Sequence, residues 1–182
     1  DRWNNVNSGS TKIHSLVNAT DTERALFNSS KFSRTVVTSV AGVSNYVVKY
    51  QRIENVTKLA GKTVTISFWA KADASKNIGL HYYQGFGTGG TPSALVEFTL
   101  PLISLTTTWQ KKTIVISLPS IVGKTLGTDG VHTSFTGINF WFDAGSAYAT
   151  QSSNLGQQSG TFDIAQVQLE EGSVATPFEQ RP

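Results

Sequence analysis

The sequence predicts an all-β protein, an antiparallel β-sandwich of jelly-roll type, on three observations. Apolar residues recur at every second position through most of the chain. Charged residues make up only 15% while Ser, Thr and 16 Gly abound, a composition of strands and tight turns rather than helices. Gly and Pro close the alternating runs one after another. The 182 residues suit one domain spanning 1–182, which can bury roughly 70% of its unfolded surface without disulfides. The absence of cysteine also excludes thiolate metal sites.

Taken in order, strands are expected at residues 12–17, 34–40 and 45–53, with one short helical turn over 21–27. Val64, Ile66, Phe68 and Ala70 then point one way, and Thr63, Thr65, Ser67 and Trp69 the other. Ile78, Leu80 and Tyr82 alternate with Gly79, His81 and Tyr83. A strand over 95–100 stops at Pro101, and another over 113–118, entered through Trp109, stops at Pro119. Ile138, Phe140 and Phe142 alternate with Asn139, Trp141 and Asp143. In the last strand Phe162, Ile164, Val167 and Leu169 are apolar, and the spacing slips by one between Ile164 and Val167. The total is roughly eight to ten strands, as a jelly roll requires. Residues 85–92 and 123–130 read as Gly/Thr-rich turns, and 144–160 as a long surface loop.

Several function classes find no support. The net charge of +3 comes from scattered residues, with Lys111-Lys112 the only adjacent basic pair, so no basic face for nucleic acid is predicted. No apolar run reaches membrane-spanning length and no signal peptide opens the chain. The first residue is Asp1 rather than Met, and the expectation is a processed product or C-terminal part of a longer chain. Residues 85–90 match GxGxxG, but Pro92 and a β-rich run follow where a dinucleotide site needs a helix, so the loop is read as structural. The Gly-Lys-Thr triplets at 61–63 and 123–125 lack the earlier Gly of a phosphate-binding loop. His14, His81 and His132 are widely separated, no nucleophile elbow occurs, and Asp143 has no nameable carboxylate partner. No catalytic residue, metal site or cofactor is predicted.

One constellation points to binding. If Phe68, Leu80, Tyr82, Phe140 and Phe142 face the core, alternation sends Trp69, His81, Tyr83, Asn139, Trp141 and Asp143 to the opposite side. Aromatic rings stack on the apolar faces of sugars, and Asn, Asp and His supply directional hydrogen bonds. The alternatives are that Trp69 and Trp141 fill a second apolar layer or seal a subunit interface. Trp3 and Trp109 read as structural anchors.

The closing stretch from Phe162 to Pro182 resembles the end of carbohydrate-binding-module-like jelly rolls, particularly those at the C-termini of bacteriophage tail-fibre and other virion proteins. Residues 59–72 (Leu-Ala-Gly-Lys-Thr-Val-Thr-Ile-Ser-Phe-Trp-Ala-Lys-Ala), 83–94, 121–128 and 1–5 strengthen the likeness, which runs from end to end. The resemblance implies a non-catalytic module of a phage tail or head fibre, a receptor-binding or virion-decorating tip. It also implies host polysaccharide or lipopolysaccharide as ligand, a homotrimer assembled with other virion proteins, and location in the virion. The rivals are a purely structural trimerisation or attachment module, and the binding module of a secreted polysaccharide-degrading enzyme. Such jelly rolls often place a calcium-ligating Asp just before the position of Val167. Here Ala165-Gln166 stand there, so no calcium is expected; Asp163 reads as a hydrogen-bonded structural residue, the alternative being a cation ligand in a different geometry.

Overall fold

A computed structural model describes residues 3–179. Among them eleven strands and one α-helix, besides three single-turn 3-10 helices, follow in the order β1 (Asn4–Ser8), β2 (Thr11–Asn18), α1 (Asp21–Phe27), β3 (Lys31–Thr38), β4 (Tyr46–Ile53), β5 (Thr63–Ala72) and β6 (Lys76–Gly85). Then come β7 (Val96–Thr99), β8 (Ile103–Leu105), β9 (Gln110–Ser117), β10 (Phe135–Ala144) and β11 (Gly160–Glu171). They form a sandwich of two antiparallel sheets. The first has the order β1-β4-β10-β6-β7, with β8 on the far part of β6, and the second β2-β3-β11-β5-β9. The predicted sandwich is therefore present. Two short strands, β1 and β8, lie where no strand is expected from alternation.

The core lies between the sheets and comes from the residues with period-2 spacing. Ile66, Phe68, Leu80, Tyr82, Phe140 and Phe162 are fully buried. Phe68 meets Phe140 edge-on at 5.1 Å, and Phe142 packs on Phe162 at 5.1 Å. Each such side chain stabilises the fold by about 1.5–3 kcal/mol.

Two bulges adjust this register. On β11 the pairing with β5 shifts between Ala165 and Gln168, where Gln166 takes a positive φ of 51°. This is the slip seen in the apolar spacing. On β10 the pairing with β4 shifts between Trp141 and Asp143, a change the alternation does not show.

Helix α1 crosses the outer face of the second sheet. Thr20 caps it: its hydroxyl accepts from the Glu23 amide while the Glu23 carboxylate accepts from the Thr20 amide. Asn28 ends it in the left-handed region. The helix buries Phe27 in a layer with Phe32, Trp69 and Trp109.

The GxGxxG segment is structural. It zips to the loop before β10 through Gly127 N to Phe86 O (2.7 Å), Asp129 N to Thr88 O (3.0 Å) and Ser93 N to Thr125 O (2.9 Å). A Cβ at Gly127 would lie 2.1 Å from Thr88 O, so only glycine permits this approach.

Candidate functional site

The outer face of the first sheet is built in rows across the strands. In one row Tyr50 (β4) lies opposite Asn139 (β10), Asn139 opposite His81 (β6), and His81 opposite Thr99 (β7). The next row runs Arg52, Gly137, Tyr83, Glu97. On the other side Val48, Trp141 and Gly79 form a third. Glycine shapes this surface twice. A Cβ at Gly137 would sit 2.2 Å from the Tyr83 ring, so that ring lies across β10. A Cβ at Gly85 would meet the Phe135 ring at 2.5 Å, so Phe135 lies across β6 in return. Tyr83 then stacks beside His81 (5.6 Å, 10° between planes) and meets Phe135 edge-on at 5.5 Å.

The segment 145–157 forms a wall along the Trp141 row. Tyr148 packs on Tyr46 at 4.9 Å and on Trp141 at 5.3 Å, and Leu155 joins the same cluster. Further along, Ser152 O approaches so closely that a Cβ at Gly79 would lie 2.7 Å from it, and the Ser153 hydroxyl donates to Leu100 O beyond β7. Gln158 ties the end of the segment down, its Nε2 donating to Asn77 O (2.6 Å) and Phe142 O (2.9 Å). Between this wall and the sheet lies a cavity of about 290 Å³ lined by His81, Glu97, Phe98, Thr99, Thr150 and Gln151. A larger one of about 470 Å³ sits at the base of the same segment. Its lining of Gly42, Val43, Ala144, Gly145 and similar residues contains no titratable side chain, so it offers less chemistry.

Around His81, which lines the smaller cavity, the fold leaves several polar atoms unpaired. His81 Nε2, Asn139 Oδ1, Trp141 Nε1 and Ser152 Oγ are buried and have no hydrogen-bond partner. Leaving such groups unpaired costs about 1–3 kcal/mol each; His14 Nδ1, Tyr82 Oη, Gln84 Oε1 and Thr136 Oγ1 are likewise buried and unpaired elsewhere among the described residues. Burial holds the His81 ring neutral by lowering its pKa to about 4. With the Asn139 amide donating to Nδ1 (3.2 Å), the proton rests on Nε2, 3.9 Å from Glu97. Beneath the face, buried N–H donors from His81 and Trp141 thus lie beside buried acceptors from Asn139 and Ser152. That alternation matches hydroxyl groups, which both donate and accept.

Of the six residues predicted from sequence, the structure gathers four: His81, Tyr83, Asn139 and Trp141. Trp141 is only 5% exposed and packs against Tyr148, so its ring is a buried layer and its indole N–H is buried without a partner. Trp69 is separated from them. It does lie on an outer face, but that of the second sheet, which points the opposite way, under Phe27 of α1. Asp143 is also corrected. The β10 bulge turns it inward, fully buried, where it accepts from Ser10 Oγ (2.6 Å), Ser39 Oγ (2.9 Å) and the Gln158 amide (2.7 Å). It pins three chain segments and does not face the site. Asp163 has both oxygens taken by Arg34 at 2.7 and 2.8 Å. The residues not foreseen are Tyr50, Arg52, Glu97, Thr99, Tyr148 and Ser152. The alternation of Tyr46, Val48, Tyr50 and Arg52 was a readable signal for one aromatic-polar face.

The fold is shared with solved carbohydrate-binding modules. The CBM22-2 xylan-binding domain of Paenibacillus barcinonensis Xyn10C superposes with a TM-score of 0.55 at 17% identity, over 94% of this chain and 92% of that one. A family 11 module from Clostridium thermocellum, solved with a β-1,3-1,4-mixed-linked tetrasaccharide, gives 0.55 at 15% identity over 96% and 91%. A CBM4 structure gives 0.51 at 17% identity over 87% and 78%. No family model matches the sequence, and no curated protein matches it. At these identities the likeness shows the architecture, a jelly roll of carbohydrate-binding-module type, and the ligand must be argued from this chain's own residues.

Proposed function

We propose that this chain is a non-catalytic glycan-binding module whose site is the outer face of the first sheet, beside the 145–157 wall. The observation that carries the reading is the cluster of four unpaired buried polar atoms next to the Tyr83 and Trp141 rings. In the setting suggested by the sequence resemblance, the module is the tip of a phage fibre or virion protein, assembled as a homotrimer and recognising host surface polysaccharide or lipopolysaccharide. A second reading, the binding module of a secreted polysaccharide-degrading enzyme, draws on the likeness to modules of Xyn10C and of the cellulosomal cellulase Lic26A-Cel5E.

A glycan and lipopolysaccharide array with the purified chain, alongside light scattering, tests the proposal. Asn139→Leu is close in shape, and it removes one acceptor from the site and the bond that sets the His81 tautomer. It should weaken glycan binding at least about tenfold, equivalent to about 1.4 kcal/mol, while melting is unchanged. Glycan binding that survives this substitution in a folded protein places the site elsewhere. An array with no bound glycan favours a purely structural module, and the mass from light scattering decides whether it trimerises.

A further inference from the structure

One charged group on this face is positioned more firmly than an exposed side chain needs to be. Arg52, exposed near the end of β4, lays its guanidinium over the Phe135 ring at 4.3 Å from the centroid, with the Tyr50 ring centroid 5.6 Å from the same group. Its Nε donates to the Tyr83 hydroxyl at 3.5 Å. Gly137 makes this possible, because Arg52 and Tyr83 flank it in one row and only a glycine lets the Tyr83 ring cross β10 to reach the guanidinium. Among the described residues Arg52 forms no ion pair, so its terminal amino groups are uncommitted. A guanidinium stacked over the Phe135 ring, with Nε turned toward the Tyr83 hydroxyl, still presents its outer edge, two parallel N–H donors in the geometry that grips a carboxylate.

The opposite end of the row carries the opposite sign. Glu97 lies across from Tyr83, three strand spacings from Arg52, or roughly 14 Å. It adjoins the cavity and the neutral His81 ring. The face therefore runs from a cation at β4, over uncharged hydroxyl-matching groups at Asn139 and His81, to an anion at β7.

We propose that the ligand is an acidic glycan, with a sugar carboxylate bound by Arg52 and a neutral sugar of the same chain seated between His81, Glu97 and Thr99. This rests on the reading of the face as a glycan site, and it adds the charge of the ligand and the direction in which it lies. A neutral polymer would leave the oriented guanidinium unused. A carboxylate at the β7 end would meet Glu97 instead.

The test uses calorimetric titration of the full chain with polygalacturonate, alginate and hyaluronan, each beside its carboxyl-reduced form. At least one native polymer should bind at least about tenfold more tightly than its reduced counterpart. Arg52→Gln should remove that difference, Arg52→Lys should restore only part of it, and Lys62→Gln, which deletes the same charge at a remote position, should leave it intact. Reduced and native polymers bound equally, or a preference that survives Arg52→Gln, overturns the acidic-ligand inference while leaving the glycan site standing. If neither form of any polymer binds, and the neutral glycans of the array also fail, both fall together.

Discussion

On the outer face of the second sheet, helix α1 covers an aromatic layer whose buried polar atoms are all partnered. On the outer face of the first, the 145–157 segment covers a similar layer and leaves four unpaired. In the α1 layer the Trp109 indole donates to Glu23 at 2.8 Å, Lys71 pairs with the same carboxylate at 3.1 Å, and Arg34 grips Asp163. Phe27, Phe32, Trp69 and Trp109 then pack as they would in any interior. In the 145–157 layer Trp141, Tyr46 and Tyr148 pack as closely, yet the Trp141 and His81 N–H groups are buried without acceptors. Apolar packing alone does not separate a structural layer from a binding surface, since both faces have it. The two covers differ instead in how their buried polar atoms are paired, although unpaired atoms also occur at Tyr82, Gln84 and Thr136 in the interior.

The largest effect expected from this contrast falls on the α1 face. Phe27→Ala should cost about 3–5 kcal/mol in chemical denaturation, the range for a buried aromatic, and leave glycan affinity of the folded protein unchanged. Tyr148→Ala, in the other cover, should cost less because its ring is half-buried, but should change glycan affinity. If both substitutions cost the same and neither touches binding, the two faces are equivalent and the contrast fails.

How far these faces could be read beforehand follows from what alternation encodes. It states which side of its own strand a residue takes, and Trp69 and Trp141 both take the side away from the core. It does not state which sheet the strand joins. That depends on β5 pairing with β11 and β9 while β10 pairs with β4 and β6, contacts between segments remote in sequence. The β10 bulge was equally hidden, because Phe140 and Phe142 continue the period up to the residue where it breaks, and Asp143 is misplaced as a result. The β11 slip was visible because it displaces an apolar residue, Val167. Strands β1 and β8 escaped notice for lack of length: five Asn-rich residues and three beside Pro101 cannot establish a period. His81, Tyr83 and Asn139 were legible because β6 and β10 are neighbours, so one alternation read in each strand falls on a shared surface.

Acid titration should also separate the faces, with a smaller effect. His81 is held neutral by burial, with its pKa lowered to about 4 from 6.5. The unfolded chain therefore takes up a proton between pH 6.5 and 4 that the folded chain refuses, and stability falls as pH drops through that window. The loss approaches roughly 3 kcal/mol at most. For Glu23, burial pushes the pKa up, but hydrogen bonds from the Trp109 indole, the Thr20 amide, Lys71 and the Thr20 hydroxyl outweigh it and hold the value at about 2 against 4.5. Stability from this group is complete above pH 4.5 and is lost between pH 4.5 and 2. His81→Gln should flatten the upper window and Glu23→Gln the lower one in melting curves taken across pH. The parent-minus-variant difference isolates His81 from His14, whose pKa burial also lowers. A profile that His81→Gln leaves unaltered would mean the ring is not held neutral by its surroundings.

The finest test exchanges one atom group on each face. Trp109→Phe deletes an indole N–H that donates to a carboxylate, a bond to a charged acceptor whose loss costs about 1.5–3 kcal/mol. Trp141→Phe deletes an indole N–H that is buried and donates to nothing. There the lost ring area is offset by relief of an unpaired buried donor, and the net change in stability should lie within about 1 kcal/mol of zero. Binding should report the reverse order. Trp109→Phe leaves the site untouched, whereas Trp141→Phe removes one of its two buried N–H donors and should weaken glycan affinity by about 0.5–1.5 kcal/mol, the net value of one hydrogen bond. The two measurements must therefore cross: the variant that loses more stability loses less affinity. If Trp141→Phe costs as much stability as Trp109→Phe and leaves glycan affinity unchanged, the indole N–H serves no ligand, and the first face is a second core layer like the one beneath α1.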